Sequence, residues 1–436
     1  MATAAPLSER ISIPVRRALK NDFLRHGALV FGATMAANVL NYAFNVALSR
    51  RLGVEGFATL SSLVSFIMIF SIPASVLTLM VVKYTATFHA AGDTARVRRL
   101  SAILLKWTSV AAIVAFVLGV LLHGEVAAFL RIANDPAIPL CIGILALSLI
   151  TPSVRAILQG EQDFIRYSIS VVLENFLKVL LAVALVYAGF GVIGALSGWL
   201  LGTFAALAYT VWAVFKKHGS AADASISLGL DVQRLVRTTM GVGFAGAFVV
   251  VFSSIDVLLV KHYFTPHEAG LYAAVNLTGK VVLFVAAFVP SVLLPKAAAK
   301  HERGEAPTVL LLQAVAVTSV MCGAALVMFG SAPGLVVRIL AGADFAAAAP
   351  YVLQYDAAMA LLAVVTLLVN YRIAIHNFQF LYPFGGVLAC EIAAIALFHG
   401  TLWDVIHVLL IGNAFAAAVC VYGLSTTRKA LVGAVQ

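Results

Sequence analysis

The chain has few charged residues. Lysine, arginine, aspartate and glutamate make up 11% of its 436 residues, whereas hydrophobic residues make up 62%. An average soluble domain contains about 25% charged residues, so this composition excludes an ordinary soluble protein. Only four cysteines are present. Each lies in a different hydrophobic segment without metal-ligand spacing, and we interpret all four as packing residues.

Several motifs of enzymes and ATP-driven pumps are also lacking. The sequence contains no phosphate-binding P-loop, no zinc-binding motif and no evident Ser-His-Asp arrangement. Its loops are too short for an ATPase domain. The N-terminal segment is polar and basic and has no small-residue cleavage site, so we expect the first hydrophobic segment to be retained. These features predict a protein that is not an enzyme and needs no cofactor.

Long hydrophobic runs occupy the rest of the chain. A helix needs about 20 mainly apolar residues to cross the hydrocarbon core of a bilayer, and twelve segments meet this requirement. The sequence therefore predicts an all-α, polytopic integral membrane protein. The predicted spans are 27–49, 57–82, 103–122, 136–158, 168–187, 192–215, 238–260, 269–294, 308–329, 346–370, 380–398 and 402–424.

Basic residues are distributed unequally among the loops. If the N-terminus is cytoplasmic, most of the 29 lysines and arginines fall in cytoplasmic segments, such as 92–99 and 216–237. Because basic loops stay preferentially in the cytoplasm, we expect both termini there. The net charge of +10 then reflects membrane topology, and we expect no nucleic-acid partner. The basic residues of the outer segments are Arg50, Arg51, Arg131, Lys261 and Arg338.

The two halves of the chain share landmarks in the same order. Arg155 is followed nineteen residues later by Glu174, and Arg372 is followed nineteen residues later by Glu391. We interpret the recurrence as the duplication of a six-helix unit. Because six is even, both copies enter the membrane from the same side, and the repeat is parallel. Further pairs are Pro73 with Pro290, Arg131 with Arg338, and Pro139 with Pro350.

This duplication predicts the domain organisation. Transporters built from parallel repeats bind substrate between the halves and expose it alternately by rocking one half against the other. We therefore expect about twelve transmembrane helices in two parallel six-helix lobes around a central cavity. The predicted parts are a cytoplasmic N-terminal segment (1–26), an N-lobe (27–215), a cytoplasmic linker (216–237), a C-lobe (238–424) and a cytoplasmic tail (425–436).

The first predicted span carries a polar stripe. At about 100° per residue, Thr34, Asn38, Asn41, Asn45 and Ser49 fall within one arc of the helix. Lipid cannot satisfy amide groups, so the stripe must face protein or water. It predicts either the wall of an aqueous cavity, whose amides bind sugar hydroxyls, or polar contacts between helices. We favour the cavity wall.

Ionisable residues inside the spans are further candidates, because they are expensive in a membrane and usually functional. Glu174 and Lys178 lie four residues apart, which predicts either a self-neutralising pair or a switch that faces the cavity. Tyr272, Asn276 and Lys280 form a second stripe near the middle of the eighth span. These residues are predicted to line the cavity or bind substrate there.

Two arginines and four carboxylates complete the candidates. Arg155 and Arg372 lie near the cytoplasmic ends of their spans, where a guanidinium could bind phosphate or anchor the topology. Intramembrane carboxylates often couple transport to ions or protons, although pairing with a nearby basic residue is the alternative. The coupling candidates are Glu174, Asp256, Asp356 and Glu391.

Four stretches have recognisable patterns: 48–57 (LSRRLGVEGF), 158–164 (LQGEQDF), 255–261 (IDVLLVK) and 268–272 (EAGLY). They resemble the polysaccharide transporter (oligosaccharide flippase) family of the multidrug/oligosaccharidyl-lipid/polysaccharide (MOP) superfamily. The resemblance implies a MATE-like fold that moves an undecaprenyl-diphosphate-linked oligosaccharide between leaflets. It also implies that basic residues in the cavity hold the diphosphate. The candidates in this chain are Lys178, Lys280, Arg155 and Arg372.

The leading hypothesis is a lipid-linked oligosaccharide flippase of the bacterial cytoplasmic membrane. Its expected partners are the lipid-linked oligosaccharide, membrane lipids, and polysaccharide polymerase or export machinery. One alternative is a multidrug exporter of the same superfamily, against which the basic mid-membrane residues argue. A second is a membrane glycosyltransferase or polymerase, which would need larger outer loops. A third is a non-transporting scaffold.

Overall fold

The computed structural model describes residues 22–132, 136–219, 228, 232–303, 305 and 307–433. Within these ranges the chain is almost entirely helical and contains no β-strand. This confirms the expected all-α fold. Most of the predicted N-terminal segment and much of the predicted linker lie outside the described residues.

The helices are numbered in chain order. In the N-terminal half the structure describes α1 (Asp22–Phe70), α2 (Ile72–Ala90), α3 (Thr94–Leu121), α4 (His123–Phe129), α5 (Ala137–Gly160), α6 (Phe164–Leu185) and α7 (Gly191–His218), with a π-helical turn (Val186–Phe190) before α7. In the C-terminal half it describes α8 (Val232–Phe252), α9 (Ile255–Tyr263), α10 (Pro266–Ala286), α11 (Phe288–Glu302), α12 (Thr308–Ser331), α13 (Pro333–Leu340), a 3-10 segment (Ala343–Tyr351), α14 (Val352–Ala374), α15 (Leu381–Leu397) and α16 (Leu402–Gly433).

Nine helical stretches of the described chain are long and apolar enough to cross a membrane. Two of them contain a glycine with a positive φ, Gly53 at 69° and Gly189 at 96°. These left-handed backbone angles end a helix and suit glycine, which has no Cβ. The apolar helix α15 has 17 residues. Each of the twelve predicted spans therefore falls on helical chain, while the number of membrane crossings stays a prediction.

Side-chain caps define several helix ends. Asp93 accepts a hydrogen bond from the backbone N–H of Arg96 at 2.9 Å, and Asp163 accepts one from the backbone N–H of Arg166 at 3.2 Å. These bonds satisfy backbone donors at the starts of α3 and α6, which would otherwise lack partners. At the start of α10, Thr265 forms a capping box with the side chain at position 268. The turns between helices can therefore be short.

The helices form two groups that meet along a seam. In the N-lobe, α6 packs on α1 and α7, and α5 packs on α2, α3 and α7. In the C-lobe, α14 packs on α10, α12 and α16. The seam is formed by α1 and α2 on one side and by α8, α9 and α10 on the other.

Three helix breaks lie along this seam. Ser71 separates α1 from α2, Ser253 and Ser254 separate α8 from α9, and Ala287 separates α10 from α11. Ser253 and Ala287 border the same small cavity of about 210 Å³, so these two breaks lie at one level. The long helices away from the seam, such as α3, α5 and α12, run without a break.

The seam is open at one end and closed at the other. We call the end at which α1 begins the N-terminal end, and the opposite one the far end. At the N-terminal end a cavity separates the lobes. At the far end, Arg50 Nη2 donates a hydrogen bond to the carbonyl oxygen of Ile339 at 2.6 Å. The rings of Phe57 and Phe345 pack edge-on beside it, 5.9 Å between centroids.

Candidate functional site

The cavity at the N-terminal end has a volume of about 1080 Å³. It lies between the first half of α1, the turn before α6, and the junction of α10 with α11. Most of its wall is apolar, and no Asp, Glu, Lys or Arg is among the described residues that line it. The lining residues are Gly27, Val30, Phe31, Thr34, Met35, Asn38, Gln162, Phe164, Phe284, Val285, Ala287, Phe288 and Ser291.

The polar stripe of α1 is divided between this cavity and the N-lobe interior. Thr34 and Asn38 line the cavity. Asn41 lies deeper and donates a hydrogen bond from Nδ2 to Asn175 Oδ1 of α6 at 2.9 Å. Asn45, one turn further, donates to the carbonyl oxygen of Asn41 at 2.8 Å. Both interpretations therefore apply to the stripe. Thr34 and Asn38 face the cavity, whereas Asn41 joins two helices.

Lys178 lies at the inner part of this stripe and is buried. Its ammonium donates a hydrogen bond to Asn41 Oδ1. The ammonium nitrogen also lies 5.0 Å from the centroid of the Phe44 ring and 4.9 Å from that of Trp199. Ring faces attract cations, so two aromatic side chains and one amide replace the water that this charge would hold in solution.

Glu174 forms an ion pair with Arg155, which joins α6 to α5. Arg155 Nη2 lies 2.6 Å from Glu174 Oε2, and Arg155 Nε donates to Ser170 Oγ at 3.1 Å. Thr203 of α7 donates to the other oxygen of Glu174 at 3.3 Å. Glu174 attracts Lys178 electrostatically, but its direct ion pair is with Arg155.

In the C-lobe, Asp256 accepts two hydrogen bonds from tyrosines. Tyr272 donates to Asp256 Oδ2 at 2.7 Å, and Tyr355 of α14 donates to the same oxygen at 2.9 Å. Asn276 donates to the hydroxyl oxygen of Tyr355 at 2.6 Å. All four side chains are buried inside the lobe. We had expected Tyr272 and Asn276 to line the cavity. In the structure they do not, because their polar groups are directed to Asp256 and Tyr355.

Two further carboxylates lie buried in this lobe. Asp356 Oδ1 accepts a hydrogen bond from Thr278 at 2.7 Å. Neither oxygen of Glu391 has a hydrogen-bond partner among the described residues, and the same is true of Asp256 Oδ1 and Asp356 Oδ2. Lys280 on α10 is half-buried, and Asp256 attracts it electrostatically. Buried charges without partners are costly, so this cluster differs from the satisfied network of the N-lobe.

Arg372 is held by contacts within the C-lobe. Its Nε and Nη2 donate to the carbonyl oxygen of Cys420 on α16 at 2.9 and 2.8 Å, and its Nη1 donates to Asn377 at 3.2 Å. The guanidinium also lies over the ring of Phe380, and the residue is 1% exposed. It neither pairs with Glu391 nor lines the cavity, so its contacts are structural in this conformation.

The position of the turn explains why only one Arg–Glu pair forms. Both hairpins turn with the same backbone pattern, through Gln162 at a φ of 59° and through His376 at a φ of 53°. Arg155 lies seven residues before its turn and Glu174 twelve after it, a difference of about 8 Å along the axis at 1.5 Å per residue.

In the second hairpin, Arg372 lies four residues before the turn and Glu391 fifteen after it, a difference of about 16 Å along the axis. An arginine side chain spans the first distance and not the second. The spacing of nineteen residues is thus conserved between the copies, while the contact is not.

The two lysines lie just beyond the inner end of the cavity. Asn38 is the deepest residue of α1 that lines the cavity, and Phe284 is the deepest of α10. Lys280 precedes Phe284 by four residues, about 6 Å along the helix. Lys178 contacts Asn41, about one turn beyond Asn38. None of the four predicted substrate-binding basic residues borders the cavity itself.

Several residues of these clusters were not candidates in the sequence. Phe44, Trp199, Tyr355 and Thr278 contact the predicted groups across helix pairs, and each lies in an apolar or weakly polar stretch. Tyr355 precedes a candidate carboxylate directly, which is the one local signal that could have identified it. Otherwise the contacts depend on helix packing and have no local pattern.

The fold is shared with solved membrane transporters. The structure resembles an inward-facing MATE-family multidrug resistance transporter of the MOP superfamily, with a TM-score of 0.72 and 16% identity over 91% of this chain and 95% of that one. It also resembles the lipid II flippase MurJ in an inward closed conformation, with a TM-score of 0.69 and 12% identity over 91% and 87% of the chains.

A MOP-superfamily transporter from Pyrococcus furiosus matches with a TM-score of 0.61 and 14% identity over 95% and 96% of the chains. The expected MATE-like fold is therefore confirmed. The family model of polysaccharide biosynthesis proteins matches residues 23–299, more than half of the chain. The chain belongs to this family, and it shares the fold of solved MOP-superfamily transporters. No curated protein sequence matches it.

Proposed function

We propose that the protein moves a lipid-linked oligosaccharide, built on undecaprenyl diphosphate, across the bacterial cytoplasmic membrane by alternating access of its two lobes. The excess of basic residues at the N-terminal end supports a cytoplasmic location for that end and for both termini. The cavity would then open to the cytoplasm, where lipid-linked sugars are assembled. Family membership supports the class of substrate.

The amphipathic wall of the cavity is the observation that carries this proposal. Phe31, Met35 and Phe288 offer an apolar surface suited to a lipid chain, while Thr34 and Asn38 offer groups that hydrogen-bond sugar hydroxyls. No carboxylate is among the described lining residues. A buried cation requires a counter-charge or an aromatic cage, so the described lining, which has phenylalanines and no carboxylate, offers an organic cation no counter-charge.

The lysines beyond the cavity would receive the diphosphate. Lys178 belongs to the N-lobe and Lys280 to the C-lobe, so an anion that reached both lysines would be attracted to both lobes. In the described conformation Lys178 is occupied by Asn41 and two rings. Binding of the diphosphate would therefore exchange these contacts. We no longer assign this role to Arg372, and Arg155 contributes by neutralising Glu174.

The buried carboxylates of the C-lobe are proposed to couple transport to an ion or proton. A ligand that binds both conformations equally cannot drive the exchange between them, so a gradient or the consumption of product must supply the bias. Asp256, Asp356 and Glu391 are buried and incompletely hydrogen-bonded, as a group that exchanges a proton or cation would be. Glu174 is the weaker candidate, because Arg155 already neutralises it.

The proposed partners follow from the same route. The lipid-linked oligosaccharide and surrounding membrane lipids contact the protein directly, and polysaccharide polymerase or export machinery would take up the product.

The second candidate function is export of organic cations, favoured by the likeness to a MATE-family transporter. The absence of carboxylates from the described cavity wall argues against it.

Replacement of the two lysines tests the proposal. Lys178→Gln and Lys280→Gln are introduced separately, and surface-polysaccharide export is measured at matched protein levels. We expect each variant to reduce export at least about tenfold, as loss of one charge partner of a desolvated anion does. Lys300→Gln, at a partly exposed lysine that lies 3.9 Å from Glu305, is the matched control. Unchanged export in both variants would remove the cationic-site mechanism.

Deletion of the gene separates the two candidate functions. Loss of surface polysaccharide with unchanged drug susceptibility is expected for the flippase. The opposite result, altered susceptibility with normal polysaccharide, would identify an exporter.

A further inference from the structure

The far end of the seam is closed by a small group of residues that we call the far-end seal. The N-lobe contributes Arg50, Val54 and Phe57, which surround the single-residue turn at Gly53. The C-lobe contributes Gly270, Ile339 and Phe345. Any transport cycle that exposes a site between the lobes to the opposite side of the membrane has to open this seal.

Gly270 makes the closest approach in the seal. It lies in the first part of α10, where it packs directly against Val54 of the N-lobe. A Cβ atom on Gly270 would lie 2.7 Å from the carbonyl carbon of Val54 and closer still to its carbonyl oxygen and Cγ1. Such distances are not tolerated, and the obstacle includes backbone, which cannot rotate away. The closed seam therefore requires glycine at this position.

The backbone of Gly270 does not itself require glycine. The residue lies within regular helix, and its φ is not positive. In a helix interior alanine is more favourable than glycine by about 1 kcal/mol. An alanine at this position would therefore stabilise the helical conformation of α10 and destabilise only its contact with the N-lobe. This separates the fold of the C-lobe from the closure of the seam.

Arg50 adds a polar contact to the seal. Its guanidinium hydrogen-bonds the carbonyl oxygen of Ile339 at 2.6 Å, and no carboxylate among the described residues lies within ion-pair distance of it. Its neighbour Arg51 instead lies over the ring of Tyr187 within the N-lobe, 4.8 Å from the ring centroid. Of these adjacent arginines, one bridges the lobes and the other does not.

We infer that Gly270 and Arg50 set the conformational equilibrium of the transporter, by allowing and stabilising closure of the far end. Gly270 permits α10 to approach the turn after α1, and Arg50 bonds the lobes beside it. Both are positioning residues, because neither borders the cavity or the two lysines. The seal therefore determines which end of the seam is open in the absence of substrate.

Distance measurements across the far end test this inference. Spin labels are attached to cysteines at Leu122 and Leu335, which are exposed at the far ends of the two lobes. The exposed Cys390 is replaced by serine, and the other three cysteines are buried. Pulsed electron paramagnetic resonance then gives the distribution of distances in detergent or lipid without substrate. The result is therefore independent of which compound the protein carries.

We expect Gly270→Ala to shift the closed-to-open ratio at the far end by about tenfold or more towards the longer distance. Arg50→Gln should shift it in the same direction by a smaller factor. Gly246→Ala is the matched control, because a Cβ there meets no atom within 4 Å. Arg51→Gln is the control for Arg50. Neither control should change the distribution.

Thermal unfolding separates this role from a general effect on the fold. The inference predicts that Gly270→Ala unfolds no earlier than the parent protein, while its distance distribution changes. A folded Gly270→Ala protein with the parent distribution would overturn the inference. The same shift in Gly246→Ala would also overturn it. If Gly270→Ala fails to fold, the inference is tested with Arg50→Gln instead. An unchanged distance distribution in that variant would refute the role of the seal.

Discussion

The two lobes contain corresponding helical hairpins, α5–α6 and α14–α15, whose charged residues are satisfied in different ways. In the first, Arg155 and Glu174 neutralise each other within the hairpin. In the second, Arg372 bonds to the carbonyl oxygen of Cys420, and Glu391 has no hydrogen-bond partner among the described residues. The first hairpin therefore contains an internal ion pair, whereas the second retains a buried carboxyl group without a hydrogen-bond partner among the described residues.

The largest expected difference concerns the two glutamates. Glu174→Gln leaves the partly buried Arg155 without its anion and should lower the free energy of unfolding by about 2–4 kcal/mol. Glu391→Gln replaces a buried carboxyl group that has no hydrogen-bond partner among the described residues, so it should change stability by less than about 1 kcal/mol or increase it. Chemical unfolding of the purified protein in detergent micelles measures both values.

A double-mutant cycle identifies the cause of the first effect. Arg155→Met combined with Glu174→Gln should be less destabilising than the sum of the two single changes, because the pair is then removed as a unit. Equal losses of stability in Glu174→Gln and Glu391→Gln would contradict the difference between the hairpins.

The second difference concerns the arginines. Arg372→Lys loses the forked pair of bonds to the Cys420 carbonyl, which one ammonium cannot reproduce. We expect a loss of about 1–3 kcal/mol in the free energy of unfolding. Arg155→Lys should lose less, because a lysine can still pair with Glu174. A larger loss for Arg155→Lys in the same unfolding measurement would show that charge pairing, and not fork geometry, distinguishes the two sites.

The smallest effect is a dependence on pH at the turn of the first hairpin. Burial alone would raise the pKa of Glu161, but His218 and Lys217, at 2.7 and 3.2 Å, outweigh it and lower the pKa below its ordinary value of 4.5. A carboxyl group with a lowered pKa in the folded state stabilises the protein above pH 4.5. This contribution is lost as the pH falls from 4.5 through the folded-state value.

Glu161→Gln should therefore remove part of the loss of stability below pH 4.5, an effect of less than about 1 kcal/mol. Unfolding curves at pH 6 and pH 4 measure it. The corresponding turn of the second hairpin has Ile375 at this position, so Ile375→Val serves as a control that leaves the acid dependence unchanged. An identical pH dependence in Glu161→Gln and the parent protein would contradict the assignment.

The architecture could be predicted from the sequence because it depends on composition and order. Long apolar segments in a membrane have to be helical, whereas the duplication indicated by the shared landmarks stays a prediction. The helix faces were also informative. Asn41 and Lys178 were both candidates, and the structure brings them together, with Asn175 beside them.

Contacts between helices could not be predicted in the same way. The Arg–Glu recurrence has equal spacing in both halves, yet a turn displaced by three residues prevents the second pair from meeting. Asn41 and Lys178 are separated by 137 positions, and their contact depends on the packing of α1 on α6. The depth of the cavity was unpredictable for the same reason, since it ends about one turn short of the lysines.

The helix breaks of the seam have a mechanical consequence. A helix resists bending through its backbone hydrogen bonds, and it is most compliant where these are interrupted. The interruptions at Ser71, Ser253 and Ala287 thus act as flexural joints between the seam halves. The unbroken helices behind them, such as α3 and α12, are comparatively stiff. The separation between the lobes at the N-terminal end can consequently vary while the far end stays closed.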